Sequence, residues 1–172
     1  MKNYTSYDLI EWGKPFEKSP HALPEPTLSE VLIRVTAAGL CHSDLHVQKG
    51  YMDLGEEGRL TFAERGAQLP MTFGHEIAGI VEAIGDKVKN VSIGQQVIVF
   101  PWIGCGDCLA CNEDRESDCS AMRIIGLKQK GGFATHCLIE NEKFLVNIDG
   151  LDAADVVSHA CSGITVYNAL EK

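Results

Sequence analysis

EVLIRVTAAG, residues 30–39, decides the fold class: Val31, Ile33 and Val35 alternate onto one face of an extended segment, and turn residues follow. Outward from it, HEIAGIVEAIG (75–85), QQVIVF (95–100), GGFATHCLIE (131–140) and KFLVNI (143–148) continue the pattern, punctuated by Gly, Asn and Asp. Repeated short strands with glycine punctuation predict a small, strongly bent β-barrel or sandwich. The stretch YMDLGEEGRLTFAERGAQ (51–68) reads as a polar loop without a regular period. After Gly150 the period changes, and LDAADVVSHACSGITVYNALEK (151–172) predicts two short helices broken near Gly163, with Asp152 as N-cap of the first. The class is therefore mainly β, of the α+β kind, with short C-terminal helices.

The bulk properties narrow the function. A chain of 172 residues can bury one good core. Its formal charge of −9 comes from scattered acidic residues, which argues against nucleic acid and anionic membrane as partners. The opening MKNYTSYDLIEWGK has no apolar h-region and no 18 apolar residues run together, so neither a signal peptide nor a membrane span is expected. Seven cysteines without an export signal point to metal ligands in a reducing, cytoplasmic compartment.

Four of those cysteines, Cys105, Cys108, Cys111 and Cys119, are spaced C-x2-C-x2-C-x7-C within a loop over 104–120. Tetrahedral zinc takes four thiolates at about 2.3 Å, and short loops supply that geometry. Gly104 and Gly106 are expected to let the backbone turn so that amides approach the sulfurs. Iron–sulfur runs usually have other final spacings, and a disulfide pair is the ordinary alternative. Zinc is the reading favoured by the spacing.

A second constellation is dispersed. GLCHSDLH (39–46) supplies Cys41, His42, Ser43, Asp44 and His46; GHE supplies His75 and Glu76; ACSG supplies Cys161. Singly, a cysteine is most often a small buried hydrophobe and a histidine a hydrogen-bonded core or surface residue. Cys137, His136, His21 and His159 are read that way. Together, Cys41, His75 and Cys161 fit a catalytic zinc with two Cys, one His and an open fourth position. Asp44 is the candidate carboxylate behind the histidine, and Ser43 and His46 could relay a proton outward.

GLCHSDLH, LPMTFGHEIAGIVEAIG, the four-cysteine loop, GGFATH and ACSGITVYNAL occur in the order seen in zinc-dependent medium-chain alcohol dehydrogenases, and the chain resembles that family over nearly its whole length. The long loop before GHE and the PWIG before Cys105 look most like the branch of archaeal and bacterial thermostable-type enzymes. The resemblance implies a GroES-like β-barrel catalytic domain over 1–150, with 151–172 leading towards a Rossmann domain. It makes Cys41, His75 and Cys161 the catalytic zinc ligands and Cys105, Cys108, Cys111 and Cys119 the structural ones. Glu76 would be the carboxylate near the metal, Asp44 would orient His75, and Ser43 would receive the substrate proton, with His46 as the outer relay member. His42 would sit by the cofactor pyrophosphate, and Trp102 would line the substrate pocket. The implied activity is oxidation of a small alcohol to an aldehyde or ketone with NAD(P), using two zincs per chain.

The sequence departs from that pattern in one respect. It contains no strand–GxGxxG–helix unit, and it stops at Lys172 in what reads as a helix. The expectation is that the cofactor-binding half is missing and that this chain alone binds zinc without turning over alcohol. Apolar surface near Ile164, Val166 and Leu170 would then be uncovered and favour a homo-oligomer. A non-enzymatic GroES-like zinc module for scaffolding, and a redox or metal-buffering protein, are the competing readings.

Overall fold

The computed structural model describes residues 2–171; the helical reading of Lys172 lies outside them. The chain opens with a hairpin, β1 (Asn3–Leu9) and β2 (Glu17–Ala22), followed by β3 (Val31–Gly39) and helix α1 (His42–Lys49). A small hairpin, β4 (Tyr51–Asp53) and β5 (Arg59–Thr61), precedes β6 (Met71–Thr72), β7 (Glu76–Ile84) and β8 (Gln96–Val99). The cysteine loop lies between β9 (Trp102–Ile103) and β10 (Arg123–Ile124) and holds one helical turn, α2 (Leu109–Asn112). Then come β11 (His136–Ile139), β12 (Leu145–Asn147), α3 (Ala153–Val156) and α4 (Ser162–Leu170).

The main sheet is antiparallel in the order β11-β3-β7-β8-β12, and β2-β1-β6 forms a second sheet. Both faces of the main sheet are covered, which explains why its strands read as near-continuous apolar runs. Val31, Ile33, Ile77, Val81, Val97, Val99 and Ile139 fill the larger core. The intervening Ala78 and Ile98 turn to the other face and meet Ile148, Val157 and Ala160. Each buried Val or Ile stabilises by about 1.5–3 kcal/mol relative to its exposed state, so this two-sided burial fixes the register. A third core of Leu9, Val47, Phe62 and Phe73 lies under α1.

The sheets do not close into one barrel ladder among the described residues. Two register shifts in β3, at Leu32/Ile33 and Val35/Ala37, bend the main sheet. The segment before β11 then bridges to the β1 sheet, with the Tyr7 amide donating to Phe133 O at 2.8 Å and the Thr135 amide to Thr5 O at 2.8 Å. The 51–68 stretch, read as a loop, contains the β4–β5 hairpin, and the β1–β2 hairpin was not legible at all.

The C-terminal helices differ from expectation in where they break. The interruption is at Cys161 (φ −124°, ψ −74°), after a tight turn over Val157–Ala160, and Gly163 lies inside α4. Asp152 caps α3 as predicted, its Oδ1 accepting from the Ala154 amide at 2.8 Å. No helix among the described residues is long and apolar enough to cross a membrane.

Candidate metal centres

Two clusters of metal-ligating side chains form. In the first, Cys41, His75 and Cys161 place their ligand atoms within 4.8 Å of one another. The sheet brings the first two together: the last ladder pair of β3 and β7 is Gly39 with Glu76, so Cys41 and His75 lie just beyond the same end of one ladder. Cys161 arrives from the break between the Val157–Ala160 turn and α4, with its Sγ 3.9 Å from that of Cys41.

Asp44 holds the cluster in place. It is the third residue of α1, and its Oδ2 accepts from the Cys41 amide at 2.9 Å, closing the helix start as a capping box does. Its other oxygen lies 3.3 Å from Nδ1 of His75, whose side chain is 12% exposed. That contact fixes the ring and leaves Nε2 as the nitrogen for ligation. One buried carboxylate therefore both caps α1 and orients a ligand. The sequence reading missed α1 itself; the C-x-x-D spacing ahead of it was the available signal.

The electrostatics of this cluster suit a cation. Burial pushes the Cys161 thiol up to about 12, and the negative charges of Cys41, Glu76 and Asp44 add to the effect. Burial acts against the Cys41 thiolate too, but the amide and hydroxyl of Ser43 and the adjacent His75 outweigh it and hold that thiol below its ordinary value. For His75, burial opposes the charge, and the Asp44 carboxylate with Cys41 overcomes this to raise its pKa. A divalent cation at these three ligands competes with protons for the same atoms.

The other predicted residues stand near it. Ser43 Oγ is 3.6 Å from Cys41 Sγ. Glu76 is 3% exposed at the start of β7. His42 and His46 lie one turn apart on α1 with their rings tilted at 54° and centroids 4.7 Å apart, and among the described residues no hydrogen bond joins Ser43 to His46. Trp102 packs on Phe100 at 5.4 Å and pairs with Ile124 across β9 and β10.

The second cluster is local. Cys108 is the N-cap residue just ahead of α2 and Cys111 lies three residues on, so both face one way. Their sulfurs are 3.5 Å apart, and Cys105 Sγ is 3.9 Å from that of Cys111. Cys119 follows a tight turn over Glu116–Asp118, and its Sγ accepts from the Cys105 amide at 3.4 Å. That amide is the main reason the Cys119 thiol is drawn down to about 7, whereas a hydrogen bond with Asp107 pushes Cys105 up to about 12. Gly106 has φ +89°, as the turn requires. Gly104 serves by close approach instead, because a Cβ there would lie 2.5 Å from Cys111 Sγ.

These separations test the zinc reading. Sulfurs joined as a disulfide lie about 2.05 Å apart, whereas thiolates about 2.3 Å from a tetrahedral ion are about 3.8 Å from each other. The 3.5–3.9 Å separations of Cys41–Cys161, Cys105–Cys111 and Cys108–Cys111 are those of free thiols, not disulfides, and leave both groups able to share an ion. Cys137 belongs to neither: it is a core residue whose thiol burial pushes up to about 12. His21 and His136 are held by Asp8 and Glu82, and His159 by the Val156 carbonyl, as ordinary structural histidines.

Comparison with known proteins agrees with this architecture. Residues 27–150 match the family model of the alcohol dehydrogenase GroES-like domain. An NAD-dependent alcohol dehydrogenase of Sulfurisphaera tokodaii is 39% identical over 165 residues, covering 95% of this chain and 46% of that protein. The crystal structure of an alcohol dehydrogenase from Aeropyrum pernix superposes with a TM-score of 0.82 at 26% identity, over 97% of this chain and 47% of that one. That of a D-arabinose dehydrogenase from Sulfolobus solfataricus gives 0.81 at 28% identity, over 99% and 49%. The chain thus spans about half the length of the relatives it matches. With 124 of its residues inside the matched segment, the chain belongs to the alcohol dehydrogenase GroES-like domain family.

Proposed function

We propose that the whole protein is a zinc-dependent alcohol dehydrogenase, oxidising small alcohols to aldehydes or ketones with NAD(P), and that this chain supplies its catalytic domain. The reading rests above all on the convergence of Cys41, His75 and Cys161 within 4.8 Å, with Asp44 behind the histidine. Residues 1–150 form the catalytic domain, its loop over 104–120 holds the structural ion, and 151–172 lead towards a cofactor domain. When bound, a zinc at Cys41, His75 and Cys161 supplies Lewis acidity to the alcohol oxygen, a zinc at the four cysteines supplies a structural crosslink, and NAD(P) supplies hydride acceptance.

The chain's own residues do the rest. Asp44 keeps His75 in one tautomer and orientation. Ser43, beside Cys41, accepts the hydroxyl proton of the substrate, and the ribose of a bound cofactor would link it to His46, the outer relay member on the next turn of α1. Buried Glu76 keeps a carboxylate near the ligand set. His42, exposed on α1, faces the cofactor pyrophosphate, and Trp102 borders the substrate. NAD is the cofactor we assign, in line with the name of the Sulfurisphaera tokodaii relative. Cytoplasmic location and homo-oligomerisation complete the proposal.

Metal analysis tests it. The purified chain should hold two zincs and Cys41→Ser should hold one; a single zinc in the unaltered chain would favour a non-enzymatic zinc module. A spectrophotometric assay of the 172-residue chain with benzyl alcohol and NAD should give no turnover. Robust turnover would overturn the domain assignment.

A further inference from the structure

The β1–β2 hairpin carries a polar cluster that neither metal centre uses. The two-residue repeat of β1 puts Tyr4, Ser6 and Asp8 on one face, all buried, and the register sets His21 of β2 opposite Tyr4. His21 Nε2 lies 2.8 Å from Ser6 Oγ and 3.2 Å from Asp8 Oδ2. The Ser6 hydroxyl donates to Asp8, so both neighbours accept and Nε2 carries the ring proton. Nδ1 is then an acceptor, and Lys130 Nζ donates to it at 3.3 Å. The same ammonium donates to the Tyr4 hydroxyl oxygen at 3.3 Å, which leaves the Tyr4 proton free to be given elsewhere. Among the described residues Lys130 forms no ion pair with a carboxylate. Tyr4, His21 and Lys130 together border a cavity of about 420 Å³, with Pro24 and Leu138 on its apolar side.

We propose that Lys130 is a nucleophilic amine that condenses with small aldehydes in this cavity, with His21 as its base, Asp8 behind the base and Tyr4 as the acid for the carbonyl oxygen. A nucleophile within reach of a base that a third group orients is the arrangement that activates a weak nucleophile. An acid hydroxyl beside the same amine completes what addition to a carbonyl needs. The ammonium gives one proton to His21 Nδ1, and the freed amine bonds to the carbonyl carbon. The carbonyl oxygen takes the Tyr4 proton, which the nitrogen replaces, and the product is a neutral carbinolamine. The His21 proton then goes to that hydroxyl, the C–O bond breaks, and water leaves a protonated imine on Lys130. Asp8, whose carboxyl its hydrogen bonds hold below the ordinary value, balances the transient imidazolium. The cavity volume is within the range of pockets that enclose small molecules. An aldehyde is also a product class of the proposed oxidation, and this link alone rests on that reading. The site would hold such a product reversibly, since water reverses the condensation.

Reductive trapping tests the assignment. The chain is treated with benzaldehyde and sodium cyanoborohydride, which turns an imine into a stable secondary amine, and labelled lysines are located by peptide mass spectrometry. Lys128, two residues away and likewise exposed, is the internal reference. Lys130 should be labelled roughly tenfold faster than Lys128 or more. Equal rates in the unaltered chain would overturn the proposal, and that comparison decides even if no variant folds. Tyr4→Phe, which keeps the ring, and His21→Gln should each bring the ratio towards one; a ratio unmoved by both would also overturn it. Because the aldehyde is added directly, Cys41→Ser should show the same preference for Lys130 as the unaltered chain. Failure of the catalytic-zinc reading would leave that preference standing, and loss of the preference in the unaltered chain would leave the zinc reading standing.

Discussion

The two cysteine clusters use the same chemistry and are built in opposite ways. Cys105 and Cys119 are 14 residues apart, and one loop with one helical turn carries the whole quartet. Cys41 and Cys161 are 120 residues apart, and they meet His75 only because the main sheet and the α3–α4 segment are already in place. A local cluster needs its ion to be ordered, whereas a dispersed cluster inherits its order from the fold. The quartet should therefore govern the stability of its loop, and the trio should govern chemistry at little structural cost.

The largest effect that could break this comparison is loss of the quartet. Cys111→Ser should lower zinc from two to one per chain and unfold the 104–126 region, since structural zinc contributes on the order of 10 kcal/mol in small zinc-ordered units. Gly104→Ala should act in the same direction by driving a Cβ against Cys111 Sγ. Cys41→Ser should remove one zinc with little change in thermal unfolding. Metal analysis beside calorimetry reads both, and equal destabilisation by the two serine variants would erase the distinction.

A smaller effect separates orientation from ligation within the trio. Asp44→Asn should weaken metal affinity at Cys41, His75 and Cys161 by about 10–100-fold and loosen the start of α1 by about 1 kcal/mol, while the quartet stays loaded. Competition with a chromophoric chelator resolves the two sites. Weakening of both sites together would show that Asp44 acts through general stability.

Asp8 sharpens the contrast from outside both clusters. Burial raises its carboxyl, but hydrogen bonds from Thr72, Ser6, Ser19 and His21 outweigh this and hold it below its ordinary 3.8. A lowered folded-state pKa means stability that is present above the unfolded value and is lost as pH falls from about 3.8 through the folded one. Asp8→Asn should cost about 1–3 kcal/mol at pH 7, and the gap to the parent should narrow below pH 3.8 in urea titrations. A gap independent of pH would refute the assignment.

The smallest effect concerns the segment that delivers Cys161. Val166, Tyr167 and Leu170 on α4 are 59%, 62% and 82% exposed. Val166→Glu with Leu170→Glu should reduce self-association measured by light scattering while leaving both zincs bound. A parent chain that stays monomeric at high concentration would remove the effect.

How much of this was legible follows from the same contrast. The quartet was readable because its spacing is written in a few consecutive residues. The strands around Val31, Ile77 and Val97 were readable because burial repeats with the pleat. The trio was visible only as separate fragments, since no local pattern says that residues 41, 75 and 161 meet. The β1–β2 hairpin stayed hidden because β2, EKSPHA, is polar and half-exposed, and pairing rather than burial makes it a strand. α1 stayed hidden because its helical start depends on Asp44, whose carboxylate looked like a ligand's companion and is also the cap. The break at Cys161 was misplaced to Gly163 because glycine is the usual punctuation, whereas here the turn before α4 sets the boundary.

The ladder that ends at Gly39 and Glu76 makes the trio a check on strand pairing. A slip of β3 against β7 by one residue would turn Cys41 to the wrong side of the sheet from His75. A chain paired in the wrong register could still fill its four-cysteine loop, but it could not assemble the dispersed site. The occupancy of the two sites therefore reports different things: one counts chains that were made, the other counts chains whose central strands have been proofread.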